Sequence, residues 1–243
     1  MSIAEDLLTI AKNVPRVHQA GYSKGESDFW DIVQRSGART NYESAFAYWD
    51  CEYLRPKHKV VPTARLFSIC MNMRNLKSIE KAYFDFSQAS TNNTSSTNGN
   101  YTLFRTCGNL KIIEDVGLKA GYYYETFRGC SSLETVEILR SESSTMYYNA
   151  FYGCSALKNI TIDGVIGQDG FNVSGCNDLT KESIVSIVSS LSENLTSSKT
   201  ITLPKTAVRK HFPNDNSIAG AEWSNAEWSS LIEKKKNWSF ALG

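Results

Sequence analysis

One pattern recurs through the middle of the chain and limits what it can fold into: a Phe, a Cys three residues on, a Leu three further, and an Ile or Val after another three. Phe104, Cys107, Leu110 and Ile113 make one copy; Phe127, Cys130, Leu133 and Val136 a second; Phe151, Cys154, Leu157 and Ile160 a third. Cys176 and Leu179, after Phe171, form a degraded fourth, and an earlier copy runs from Phe67 and Cys70 to Leu76 and Ile79 with three extra residues. Self-similarity at a fixed period dictates stacking, because no single unit can bury its own apolar face.

The steps from Phe104 to Phe127, Phe127 to Phe151 and Cys154 to Cys176 are 23, 24 and 22 residues, inside the period range of leucine-rich repeats. The longer step from Phe67 to Phe104 contains SQASTNNTSSTNGN, a polar run at Ser87 to Asn100 that reads as a loop inserted into one coil. Within each unit the alternation Val136-x-Ile138 and Ile160-x-Ile162 predicts a short strand with one buried face. Stacked coils would pair those strands into a parallel sheet at about 4.8 Å spacing, with Phe, Cys and Leu in internal columns.

GCSSLETVEI and AFYGCSALKNITI resemble the BspA-like leucine-rich repeat over about Leu66 to Leu179. The Ala before Phe in that repeat is present as Ala150, but is Leu66, Leu103 and Thr126 elsewhere. The resemblance implies a scaffold for adhesion and surface recognition with no catalytic residue.

After Asp163 the units lengthen. Thr180 with Glu182 is expected to cap a helix through Ile184, Ile187, Val188 and Leu191; Thr200 to Leu203 reads as a strand, Trp228, Leu231 and Ile232 as a helix, and Trp238 to Leu242 as a final strand. These units are expected to continue the parallel sheet and cap its core. At the other end Ile3, Leu7, Ile10, Val14 and Val17 alternate in steps of four and three, the seam of a coiled coil. An oligomerising stalk and a short helix docked on the first coil both fit, and Pro15 argues against a long helix.

The expected architecture is therefore α/β: a leucine-rich-repeat solenoid with short parallel strands, an N-terminal helix and a C-terminal βαβ cap. Its parts are residues 1–27 (helix or stalk), 28–65 (cap or attachment module), 66–179 (repeats, with the insert at 87–100) and 180–243 (capping units). IAKNVPRVHQAG, FWDIVQRSGARTNYESAFAYW and LRPKHKVVPTARLF before the repeats, with TITLPKTAV and EWSSLIEKKKNWSFAL after them, resemble minor structural and tail-associated proteins of gut bacteriophages and prophages. That resemblance implies a virion component at a tail, baseplate or fibre. Its partners would be other virion proteins, further copies of itself, or a protein or glycan on a bacterial surface; a bacterial cell-surface adhesin is the alternative.

Charge fits a protein contact better than a polyanion, since 26 Lys and Arg nearly balance 25 Asp and Glu, so neither nucleic acid nor a membrane is an expected partner. The acidic N-terminus lacks the features of a secretory signal, so synthesis in a reducing host cytoplasm is expected. Cys70, Cys107, Cys130, Cys154 and Cys176 are read as one column of buried thiols and Cys51 as an ordinary one; no pair has metal-site spacing. His18, His58 and His211 fall in separate regions with no nucleophile motif, and Glu134, Glu137, Glu142 and Asp163 suit the solvated side of the coils. Lys234, Lys235 and Lys236 suit the C-terminal end of a helix, and Asp163-Gly164 and Asp169-Gly170 suit turns. No enzyme activity, cofactor or metal is expected.

The candidate binding residues are aromatic. Aligned on the repeat Phe, Tyr101, Tyr124 and Tyr148 share one column, and Tyr123 and Tyr147 the neighbouring one. Adjacent columns of an extended segment point to opposite faces, so one must face outward, either to bind a ligand or to pack on the insert or a neighbouring subunit. The seam at Ile3 to Val17 makes a separate prediction: full-length chain and a truncated chain starting at Asp28 will differ in oligomer number by light scattering, and monomers in both cases would end the stalk hypothesis.

Overall fold

The computed structural model describes residues 52–54, 59–61, 70, 72–88, 102–118, 123–216 and 222–243. The candidate stalk residues Ile3, Leu7, Ile10, Val14 and Val17, residues 1–51, Phe67 and Tyr101 lie outside them.

Among the described residues the fold is mixed α/β with short parallel strands in two open sheets. The first sheet has strands β1 (Ser78–Ile79), β2 (Ile112–Ile113), β3 (Thr135–Ser141) and β4 (Asn159–Gly164), in that order and all parallel. Each strand sits at the same place in its repeat, which puts Ile79, Ile113, Val136 and Ile160 in one buried row. A backbone ladder runs alongside. Lys77, Lys111, Glu134, Lys158 and Thr180 donate their N–H groups to the carbonyls of Glu52, Lys77, Lys111, Glu134 and Lys158, at 2.8 to 3.0 Å. Buried N–H and C=O groups demand such partners, and only in-register stacking supplies them to every repeat.

The repeat residues fill the space behind the sheet. Phe127 stacks on Phe104 with ring centroids 5.9 Å apart and on Phe151 at 5.2 Å, at interplanar angles of 11° and 23°. The thiols of Cys107, Cys130 and Cys154 donate to the carbonyls of Cys70, Phe104 and Phe127 at 2.9, 3.0 and 3.0 Å, and Cys176 donates to the Cys154 carbonyl at 3.2 Å. A thiol therefore suits this position: it is small and apolar, yet carries a weak donor for a carbonyl that water cannot reach. Two successive turns link the columns, the Cys N–H bonding to the Phe carbonyl and the Leu N–H to the Cys carbonyl in the repeats at 104, 127 and 151.

The first repeat corrects the sequence alignment. The Met73 N–H bonds to the Cys70 carbonyl and the Leu76 N–H to the Met73 carbonyl, the same two turns that Cys107 and Leu110 make. Cys70 therefore holds the Phe position and Met73 the Cys position, with no three-residue insertion. Four cysteines, not five, share the thiol column among the described residues. The offset from Ile79 to Ile113 is 34 residues, against 23 from Ile113 to Val136, so this repeat is eleven residues longer, and the polar run expected as an inserted loop falls within it in sequence. Its flank stays tied down, since the Phe86 N–H reaches the Val116 carbonyl at 2.6 Å.

A second correction concerns the strand. Val136 pairs with Ile160, but it is Leu139, not Ile138, that pairs with Ile162, because the register shifts between Val136 and Leu139. The bulge absorbs the odd residue of the 24-residue step and turns Leu139 into the core while Ile138 is left half-buried.

Thr180 ends the ladder and starts a helix: its hydroxyl accepts the Ser183 N–H at 3.3 Å as the cap of α1 (Lys181–Ser189), which buries Ile184, Ile187 and Val188. Strands β5 (Lys199–Leu203) and β6 (Trp238–Leu242) then pair in parallel, joined through α2 (Lys205–His211) and α3 (Ala226–Ile232). These strands form a sheet of their own, so the expected continuation of the first sheet is corrected; among the described residues single bridges, Ile166 to Leu191 and Asn172 to Thr202, carry the stacking onward. Helix α2 has no signal in the apolar spacing, being a seven-residue helix preceded by Pro204. Among the described residues no helix is long and apolar enough to cross a membrane.

Phe127 is in contact with aromatic rings on both sides and fully buried. Phe127→Ala should lower unfolding free energy by about 3–5 kcal/mol, read from urea denaturation; a loss below about 1 kcal/mol would contradict the stacked core.

Candidate functional site

The segments around the repeat Phe residues are also laddered. Thr102, Phe104 and Thr106 donate to the carbonyls of Tyr124, Thr126 and Arg128, and Tyr123, Glu125, Phe127 and Gly129 to those of Met146, Tyr148, Ala150 and Tyr152, at 2.7 to 3.0 Å. Thr102, Glu125 and Asn149 adopt left-handed backbone at φ of 57°, 50° and 51°, as do Thr106, Gly129 and Gly153 at 58°, 76° and 81°. Two such turns per repeat bend each segment the same way. Glycine carries the second turn without a Cβ penalty in two repeats, and a Cβ on Gly129 would come within 3.3 Å of Thr106.

This frame separates the two tyrosine columns. Tyr123 and Tyr147 point inward and are buried, stacked at 5.6 Å. The Tyr123 hydroxyl donates to the Arg140 carbonyl at 2.9 Å, and the Tyr147 hydroxyl to Ser141 Oγ at 2.5 Å, which in turn donates to the Val165 carbonyl. As surface-binding candidates both are corrected, because the inner column has no face left for a ligand. Tyr124 and Tyr148 lie outside, one half-buried and the other 54% exposed, with rings 4.9 Å apart and 14° from parallel.

Other residues join them. Tyr152 is 67% exposed, and the Arg128 guanidinium lies 5.3 Å from its ring centroid. The Glu125 carboxylate is buried, held by Arg105 at 3.0 Å and by Arg128. Met146, two residues before Tyr148, is also exposed. The outward side chains are thus the stacked Tyr124 and Tyr148, the exposed Met146 and Tyr152, and two half-exposed guanidinium groups, one of which lies over the Tyr152 ring. Sequence inspection missed Arg105, Arg128 and Tyr152, although all three follow the repeat Phe directly; alignment of that column would have found them.

Nothing else described gathers chemistry. His211 Nε2 sits 3.0 Å from the Leu179 carbonyl, tying α2 to the last repeat; His18 and His58 are outside the described residues. Glu134 pairs with Lys158 at 3.1 Å, Glu137 accepts the Asp115 N–H at 3.0 Å, and Asp163 lies 3.6 Å from Arg140. The Asp169 carboxylate accepts the Thr200 N–H at 2.6 Å. Lys235 is buried, its ammonium donating to the carbonyls of Ser189 and Leu191 and to Glu193, so it serves the end of α1 and not its own helix. Among the described residues no group of three or more His, Cys, Asp or Glu side chains could hold a metal ion. No family model, curated protein or solved structure matches the chain.

The inner column sets a pH limit. Burial pushes the thiols of Cys130 and Cys154 well above their usual range and that of Cys176 up to about 12, and raises the Tyr123 phenol as well. Unfolded thiols ionise near pH ~8.5 and phenols near ~10. Above those values the unfolded chain binds fewer protons than the folded one, so stability falls as pH rises. The urea midpoint should be level from about pH 6 to 8 and drop above about 9, with Cys107, Cys130, Cys154 and Cys176 unreactive to a thiol reagent until unfolding. A level midpoint at pH ~10.5 would refute the buried column.

Proposed function

We propose that this chain is a non-enzymatic leucine-rich-repeat solenoid of the BspA-like type, built into a phage or prophage particle at a tail, baseplate or fibre. It presents the strip formed by Tyr124, Tyr148 and Tyr152, flanked by Arg105 and Arg128, to another virion protein or to a bacterial surface. The single observation behind this reading is the pair of parallel tyrosine rings, 4.9 Å apart, on the outside of a hydrogen-bonded frame. Rings fixed in that way lose little conformational entropy on binding and offer both apolar area and hydroxyl groups. Tyr152 beneath the Arg128 guanidinium extends the strip with a cation fixed in place.

The residue types there fit contact better than catalysis. Glu125 is neutralised by two arginines and buried, so it has neither the access nor the partner of a general acid or base.

Particles purified by density gradient from cells that carry the gene should contain the chain, and antibodies against it should decorate one part of the particle. Recovery on the cell envelope alone would replace the virion reading with that of an adhesin. Tyr124→Ala/Tyr148→Ala/Tyr152→Ala should weaken binding of the purified chain to particles or cells by about tenfold or more, while the urea midpoint moves little. Unchanged binding would remove the strip from the proposal.

A further inference from the structure

Around the repeat Phe residues the bonds between repeats all run one way. Cys70 and Asn72 donate to Leu103 and Arg105, Phe104 and Thr106 to Thr126 and Arg128, and Phe127 and Gly129 to Ala150 and Tyr152. Each accepting carbonyl shares a peptide unit with the next donating N–H: Arg105 with Thr106, then Arg128 with Gly129, and in a neighbouring stack Tyr124 with Glu125. Peptide dipoles therefore line up head to tail across the repeats, as they do along a helix, with the N–H ends toward the C-terminal side.

These stacks end in the third repeat. Asn149, Phe151 and Gly153 hold the next N–H groups in line, and among the described residues nothing accepts from them. Val173 takes the place of Phe151 in the fourth repeat, since the Cys176 N–H bonds to its carbonyl as the Cys154 N–H does to that of Phe151. The carbonyls of Asn172 and Ser174, which correspond to Ala150 and Tyr152, receive no bond from the third repeat.

The tyrosine columns stop at the same repeat. Tyr148 has Tyr124 on one side and Tyr152 has the Arg128 guanidinium, yet they stay 54% and 67% exposed. The fourth repeat places Gly170 and Ser174 at their positions, and a Cβ on Gly170 would meet nothing within 4 Å. Arg105 and Arg128 against the one carboxylate of Glu125 leave this side net positive.

An edge of donors alone does not suit a β-strand, which brings donors and acceptors in alternation. It suits an anion, as do other rows of N–H groups at the positive end of aligned peptides. The negative face of a tyrosine ring suits the C–H groups on the face of a sugar. We propose that this end of the ladder binds an acidic glycan, with carboxylate or phosphate groups at the N–H groups of Asn149 and Gly153 and a sugar face on Tyr148 or Tyr152. The site rests on the outward tyrosines being a binding surface and names the class of ligand they take.

Amide-resolved NMR titration of the full-length protein tests this with hexagalacturonate and glucose 6-phosphate, against maltohexaose and inorganic phosphate, which each carry one half of the ligand. At least one acidic sugar should shift the Asn149 and Gly153 amides and bind about tenfold tighter than either half; which of them does so tells carboxylate from phosphate. Asn149 and Gly153 are left-handed, at φ of 51° and 81°. Asn149→Asp keeps that backbone and sets a carboxylate beside the N–H row, so binding should weaken by about tenfold, whereas Asn149→Gly should hold it within about threefold. Silence of both acidic sugars at these amides would overturn the proposal, as would maltohexaose or inorganic phosphate binding equally well, or Asn149→Asp binding like wild type. Silent amides together with lost particle or cell binding in the tyrosine triple variant would remove the acidic glycan and leave the tyrosine surface standing.

Discussion

Everything described in this protein depends on the backbone ladder between successive repeats. Each repeat is too short to bury its own peptide groups, and the five-step series from Glu52 to Thr180 passes the requirement from one repeat to the next. Side chains then fall into columns because the backbone is already in register. Phenylalanine rings meet at 5.2 to 5.9 Å, and thiols reach the carbonyl of the preceding repeat. The same register that fills the interior also lines up what lies outside it, so a residue type repeated at an outward position becomes a continuous strip.

Deviations from the period are absorbed where they disturb that ladder least. The first repeat is eleven residues longer than the next, and the pairing of Ile79 with Ile113 is kept. The single extra residue of the third step becomes a bulge inside β3, and pairing resumes at Leu139. At the C-terminal end the backbone ladder stops at a residue with two tasks: the Thr180 N–H makes the last repeat-to-repeat bond and its hydroxyl the first bond of a helix. The cap beyond it is held by isolated polar ties at buried positions, of which Lys235 on the carbonyls at the end of α1 is the most enclosed.

The aromatic site follows from alternation and not from a separate pocket. Tyr123 and Tyr124 are neighbours in sequence, but one donates its hydroxyl inside the core and the other stacks outside. The buried carboxylate of Glu125 pairs with two half-exposed arginines, one of which also lies over the Tyr152 ring. The outward aromatic and guanidinium side chains thus fall in the three repeats where the left-handed turns recur.

The sequence by itself determined the period, the short parallel strands, the capped helix after Thr180, the last two strands and the existence of one inward and one outward tyrosine column. These depend on local spacing, and spacing is visible along a chain. Only the tertiary structure decided that Cys70 takes a phenylalanine place with Met73 in the thiol column, that Leu139 replaces Ile138 in the core, that β5 and β6 form their own sheet, and that Arg105 and Arg128 hold Glu125 while Arg128 lies over Tyr152. The registers among them turn on which backbone groups pair between residues 23 to 39 positions apart, and pairing over such distances is settled by the packed whole.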